Sequence, residues 1–170
     1  INGKKYALTL GIRAASHDWI VLTDADCRPQ GLNWLSSLNE YAGNNTQIIL
    51  GYSPYQKKAG WLNRLIRFET FITGLQYLGF ALLKMPYMGV GRNMAYRKSL
   101  FMENKGFNTM LSYTGGDDDL FVNKHAKGSN TEVMLGNQGL VFSIPKNSLG
   151  EFFQQKVRHL AAGKKYKFIH

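Results

Sequence analysis

Two aspartates separated by a single alanine, Asp24 and Asp26, follow an apolar, β-branched run in the stretch IVLTDADCRP at 20–29. Ionised carboxylates are oxygen donors for hard divalent cations, and magnesium is usually held by one or two of them together with substrate phosphates. In extended chain the two side chains share one face, about 6 to 7 Å apart. In open α/β sheets, ligands bind beyond the carboxyl ends of strands, which is where this pair falls. The spacing points to a metal–diphosphate site. The plainer alternative is a turn completed by Arg28 and Pro29.

A second acidic cluster, Asp117, Asp118 and Asp119, follows Gly115 and Gly116 and leads into the apolar run LFV. One aspartate suffices to cap a helix, and three exceed that need. A carboxylate close to the first pair could act as general base on a hydroxyl, and crowded acids raise one another's pKa. Gly89, Gly91, Arg92 and Asn93 in GVGRNM combine a close backbone approach with two polar groups, although a simple glycine turn looks the same. Gln155 shares a helical face with Arg158 or His159. An arginine there can grip phosphate with two parallel bonds, while a solvated basic helix is the alternative.

These groups need a scaffold, and the composition bounds it. The chain has 170 residues and 44% hydrophobic content, enough for one core and too little for two full-sized domains. Twenty-one Lys and Arg against eleven Asp and Glu give a net charge of +10, which attracts phosphate on nucleic acid, lipid or nucleotide. The acids at Asp24, Asp26 and 117–119 oppose the field that a nucleic-acid backbone binder needs, so no nucleic-acid partner is expected. Cys27 is the only cysteine, which excludes an intrachain disulfide and favours a reducing compartment. The chain opens at Ile1 in what reads as the middle of a fold. The longest uncharged apolar stretch, between Glu69 and Lys84, has fourteen residues where a spanning helix needs about twenty.

The pattern along the chain alternates helix and strand, predicting a layered α/β fold. Lys4 to Ala15 reads as an amphipathic helix with Ala7, Leu8, Ile12 and Ala15 on its apolar side. DWIVLTD reads as a strand covered on both faces in a parallel sheet. GLNWLSSLNEYA gives a second helix with Leu32, Leu35, Leu38 and Tyr41 on one side, followed by a strand in TQIILGYSPY. Gly60 to Lys84 is a long helix or a broken pair with a broad apolar face, suited either to packing on its own domain or to a membrane interface. A short strand at Met94–Tyr96 leads to a helix from Ser99, a further helix follows the three aspartates, and TEVMLGNQGLVFSIP gives two short strands. Ser148 and Glu151 have the capping-box spacing that opens a last helix.

Taken in order, DAD, GVGRNMAYRKS, GGDDDL and QQKVRHL resemble the family 2 glycosyltransferases of the GT-A fold, especially the membrane-associated enzymes related to cellulose and hyaluronan synthases. The resemblance covers nearly the whole chain, including NGKKYALTLGIRAASHDWIVLTDADCRP. It implies a GT-A-like α/β domain over 1–170, a mixed sheet flanked by helices that lacks its first nucleotide-binding strands. It implies that Asp24 and Asp26 hold the metal (magnesium or manganese) and the nucleotide-diphospho-sugar donor, with Asp26 the direct ligand. Asp117 matches the family's catalytic aspartate, although Gly116 stands where the motif has Glu, so a slipped register would make Asp118 the base. Gln155 and Arg158 match the Gln-x-x-Arg-Trp motif over the diphosphate, with His159 replacing Trp. Gly91, Arg92, Asn93, Asp119 and His159 would lie near the donor sugar or acceptor.

The implied reaction is inverting transfer of a hexosyl group to a glycan or lipid-linked acceptor hydroxyl, in bacterial cell-surface glycan or polysaccharide synthesis. The implied location is the cytoplasmic face of the inner membrane, held by segments outside 1–170, with exposed sheet edges favouring a homodimer. Alone, the chain is expected to transfer little or no sugar. A nucleotidyltransferase, which also pairs carboxylates with a metal, is the nearest alternative, and a non-catalytic basic module for nucleic acid or membrane surfaces is the other.

Overall fold

A computed structural model describes residues 3–108, 116–163 and Tyr166, with side chains for all of these except 158, 159 and 161–163. Its centre is a four-stranded mixed sheet in the order β1 (Trp19–Leu22), β4 (Met94–Arg97), β3 (Ile48–Gly51) and β5 (Thr131–Met134). Strand β4 is antiparallel to both neighbours, and β3 is parallel to β5. Two shorter strands, β2 (Cys27–Pro29) and β6 (Val141–Ser143), pair antiparallel beside it. Six α-helices are described: α1 (Gly3–Ala14), α2 (Trp34–Glu40), α3 (Trp61–Leu82), α4 (Lys98–Glu103), α5 (Asp119–His125) and α6 (Leu149–Gly163).

Successive strand side chains alternate between faces, and this divides the apolar residues into two cores. Ile20, Ile48, Leu50, Met94, Tyr96 and Val133 point to one side, where α1, α3, α4 and α5 supply Ile12, Tyr77, Phe101 and Phe121. Ile49, Ala95 and Met134 point to the other, against Trp34 and Leu38 of α2 and Val141 of β6. Strand β1 is covered on both faces, as its continuous apolar run predicts, but its neighbour is antiparallel. Such a run reports two covered faces and carries no information on a neighbour's direction.

Three helices differ from their predicted faces or limits. In α1 the buried stripe is Lys5, Leu8, Ile12 and Ala15, with Lys5 wholly buried and Ala7 exposed. In α2 the buried side is Trp34, Ser37 and Leu38, whereas Leu32 and Leu35 face solvent. The indole supplies more apolar area than either leucine and has a partner for its N–H, so it takes the inward position. Helix α4 starts at Lys98, one residue before Ser99, directly from the strand. Helix α3 is a single unbroken element of 22 residues. At α6, Ser148 Oγ accepts the Glu151 N–H at 3.3 Å as expected, while the Glu151 carboxylate reaches back to the Asn147 N–H at 3.2 Å.

Asn93 ties these layers together. Its side chain is fully buried, its Oδ1 accepts the Trp34 indole N–H at 3.1 Å, and its Nδ2 donates to the carbonyls of Tyr52 (2.8 Å) and Gly139 (2.7 Å). A Cβ on Gly51 would lie 2.5 Å from Asn93 Nδ2, so the end of β3 must be glycine for the amide to fit. Asn93→Ala would leave an indole donor and two carbonyls unpaired in the interior. It should lower stability by about 2–4 kcal/mol in urea titration, whereas Leu32→Ala, at a fully exposed position, should change it by less than about 0.5 kcal/mol.

Candidate functional site

At the carboxyl end of β1 the chain leaves extended geometry. The Cys27 N–H donates to the Asp24 carbonyl at 3.0 Å, closing a turn over Asp24–Ala25–Asp26–Cys27. The turn brings a carboxylate oxygen of Asp24, one of Asp26 and the Cys27 Sγ within 4.8 Å of one another. Turn and convergent carboxylates, posed as alternatives by the sequence, are therefore the same feature, and the extended spacing is replaced by a tighter one. Pairing of β2 with β6 begins at Cys27 and anchors the far side of the turn. Burial raises the Cys27 thiol pKa, which disfavours the thiolate that would bind a metal and leaves the two carboxylates as the oxygen donors of the turn. Two exposed or half-exposed carboxylate groups suit a hard cation that completes its shell with phosphate and water.

The three aspartates before α5 have three different settings. Asp118 is the helix cap: its Oδ1 accepts the Asp119 N–H at 2.8 Å, and its Oδ2 accepts the Gly91 N–H at 2.7 Å. Asp119 Oδ2 accepts the Tyr166 hydroxyl at 2.8 Å, and its Oδ1 accepts the Leu120 N–H at 2.7 Å. Burial, then the charge on Asp118, push Asp119 up to about 6, partly offset by those two hydrogen bonds. Asp117 is 5% exposed and bonds to neither of these networks; an ion pair with Lys4 holds it instead.

Lys4, from the first turn of α1, joins the two acidic clusters. Its Nζ lies 2.8 Å from Asp117 Oδ2 and 3.6 Å from Asp24 Oδ1. Burial works against its charge, but the hydrogen bond to Asp117 and the charges of Asp117, Asp24 and Asp118 together hold the ammonium above its ordinary pKa. Lys5 lies one residue on, in the core, where burial lowers its pKa and the charges of Asp117 and Asp119 oppose the shift. Sequence reasoning placed both lysines on the helix and gave them no role. The signal available was the pair of lysines at a helix start facing an acidic site.

The glycine loop and α6 meet over Tyr55. The Arg92 guanidinium stacks 4.6 Å from the Tyr55 ring, and the Tyr55 hydroxyl accepts from Gln155 Nε2 at 3.1 Å. Arg92 Nη1 is buried and has no hydrogen-bond acceptor among the described residues. The Arg92 charge opposes the upward push of burial on Cys27, Tyr52 and Tyr77. The amide of Asn93, a residue expected beside the substrate, has its oxygen and nitrogen engaged inside the protein by Trp34, Tyr52 and Gly139. Gly91 serves the close approach to Asp118, whose Oδ2 a Cβ would meet at 3.0 Å. Arg158 and His159 belong to α6, but their side chains lie outside the described residues.

Residues 1–104 match the family model described as Glycosyl transferase family 2. The fold is similar to that of the mannosyltransferase PcManGT from Pyrobaculum calidifontis, solved in complex with GDP-Man and Mn2+, with 18% identity and a TM-score of 0.65. That likeness covers 100% of this chain and 46% of the other. Mannosyl-3-phosphoglycerate synthase from Rubrobacter xylanophilus is similar at 16% identity and a TM-score of 0.50, over 95% of this chain and 49% of the other. At such identities the likeness is one of fold, and the chain spans about half the length of either protein. No curated protein sequence matches this one significantly.

The raised Asp119 pKa has a direct consequence for stability. The folded chain binds this proton more tightly than the unfolded chain, so stability should fall as pH rises from about 4 to about 6, by up to about 3 kcal/mol for this group. Asp119→Asn removes the titration. Relative to the unaltered chain, this variant should therefore gain stability between pH 4 and pH 7 in thermal melts, both values being approximate brackets of the shift.

Proposed function

The chain belongs to glycosyl transferase family 2 and has the GT-A fold, and from that premise we propose that it carries the donor and catalytic groups of an inverting sugar transferase acting on a nucleotide-diphospho-sugar. The observation that carries this reading is the single locus made by Lys4, where the strand-end carboxylates and the carboxylate before α5 come together. Asp24 and Asp26 are the residues that would hold a magnesium or manganese ion, which when bound offsets the diphosphate charge as the sugar departs. Asp26, the more exposed of the two, is the direct ligand in this reading. Lys4 contributes a fixed ammonium to the same diphosphate.

Asp117 is the base. Asp118 is committed to the cap and to Gly91, and Asp119 to Tyr166, whereas Asp117 meets Lys4 through Oδ2, so its Oδ1 is the oxygen that would receive the acceptor hydroxyl proton. The hydroxyl oxygen forms a bond to the anomeric carbon as the bond to the nucleoside diphosphate breaks, with inversion at that carbon. Arg92, with a buried N–H unpaired among the described residues, and Gln155, linked to it through Tyr55, face the reacting sugar or the acceptor. Arg158 keeps the diphosphate-binding role of the motif it matches. A hexosyl donor is favoured, with GDP-mannose the first to test because the similar mannosyltransferase is complexed with it. A glycan or lipid-linked acceptor in surface polysaccharide synthesis completes the reading.

The test is nucleotide binding and transfer with the intact protein. GDP should bind in the presence of MnCl2, and Asp26→Ala should weaken that binding at least about tenfold. Asp117→Asn should leave binding within about twofold while lowering the transfer rate by about 10²–10⁴. Unchanged GDP affinity in Asp26→Ala would remove the donor-site assignment. Full activity in Asp117→Asn would remove the base.

A further inference from the structure

Helix α3 turns one side to the core, and its other side has the wrong composition for water. Tyr77, Leu78 and Ala81 are buried in the core of the sheet, and Ile66 and Thr70 are buried on the same side of the helix. At 3.6 residues per turn, the line opposite them is Trp61, Leu65, Phe68, Ile72 and Leu75. These are 63, 42, 64, 37 and 61% exposed. An ordinary surface helix carries polar residues along that line, and a contiguous apolar face of this size marks a contact surface.

The charges on this face have one sign. Glu69 is the only acid in α3, and it is ion-paired to Lys156 of α6. Arg64 and Arg67 are exposed on one flank of that line, about 60° and about 120° from its centre, and exposed Lys57 and Lys58 precede the helix. Helix α6 packs on α3 through Phe152 against Ile66, and its Phe153 and Val157 are 62 and 64% exposed. No helix among the described residues is long and apolar enough to cross a membrane.

We propose that the outer face of α3 is a docking surface for an anionic lipid bilayer, with the helix lying in the membrane plane. Trp61, Phe68, Ile72 and Leu75 enter the boundary between headgroups and acyl chains, and Arg64 and Arg67 meet lipid phosphates. Charge selects this occupant over a second copy of the chain. Two copies joined through this face would bring Arg64 and Arg67 of each together with no exposed acid on α3 to pair them. The surface needs no anchoring segment elsewhere, and it does not rest on the transferase reading.

The 170-residue chain is mixed with vesicles of phosphatidylcholine alone, or with about a quarter phosphatidylserine. It should sediment with the anionic vesicles and much less with the neutral ones, and the partitioning should fall with added salt. A blue shift of tryptophan emission on binding should disappear in Trp61→Phe. The double variant Phe68→Ser/Ile72→Ser should lose at least about tenfold in partitioning, and Arg64→Gln/Arg67→Gln about tenfold or more. Circular dichroism checks that each variant folds, and the salt dependence of the unaltered chain stands even where one does not. Equal binding to neutral and anionic vesicles would overturn the proposal, as would binding that survives Phe68→Ser/Ile72→Ser. Absence of vesicle binding would overturn it as well, and a concentration-dependent dimer dissociated by Phe68→Ser/Ile72→Ser would put a second copy in its place.

Discussion

Five aspartates concentrated at one end of a sheet repel one another, and the site exists because each has a different way of keeping its charge or giving it up. Asp118 spends its carboxylate on a helix end and a loop N–H. Asp119 is pushed toward its protonated form and held by Tyr166. Asp117 and Asp24 share the Lys4 ammonium, so the two clusters attract a common cation where they would otherwise push apart. Asp26 stays at the solvent side of its turn. The Lys4 ammonium, 2.8 Å from Asp117 Oδ2, thus gives a carboxylate that is only 5% exposed an opposite charge as its partner.

That electrostatic arrangement is only as accurate as the backbone beneath it. Lys4 arrives from α1, Asp24 from the end of β1, Asp117 from the start of α5, and α1 and α5 pack on one face of the sheet to which β1 belongs. The glycine loop is fastened at both ends, by Gly91 to Asp118 and by Asn93 to Trp34, Tyr52 and Gly139. Arg92, lying between them, is thereby held over the Tyr55 ring. One buried amide, remote in sequence from every acid, thus sets the position of the loop's only cation.

Much of this was legible in the sequence. The order of motifs gave the family and the mixed α/β fold, and the acids were found as candidates by type and spacing. What the sequence could not give was which of three adjacent aspartates does what, because capping, hydroxyl bonding and ion pairing are decided by partners such as Gly91, Tyr166 and Lys4 that lie far along the chain. The internal bonds of Asn93 were hidden for the same reason, since a polar residue beside a glycine turn looks identical whether it faces a ligand or a tryptophan. The buried side of α2 went to Trp34 because an indole with a partner outweighs leucines at equal spacing. Lys5 stayed hidden because a lysine in a helical pattern is ordinarily read as solvent-facing.

The central claim is that the DAD turn, the start of α1 and the start of α5 form one nucleotide–metal site. Paramagnetic broadening by Mn2+ in the presence of GDP tests it most directly in the amide spectrum of the isotopically labelled chain. The account predicts that resonances of Lys4, Cys27 and Asp117 broaden together, while those of Gln47 and Asn130, paired at the opposite end of the sheet, persist. Broadening of Cys27 without Lys4 and Asp117, or of Gln47 as strongly as Cys27, would contradict it.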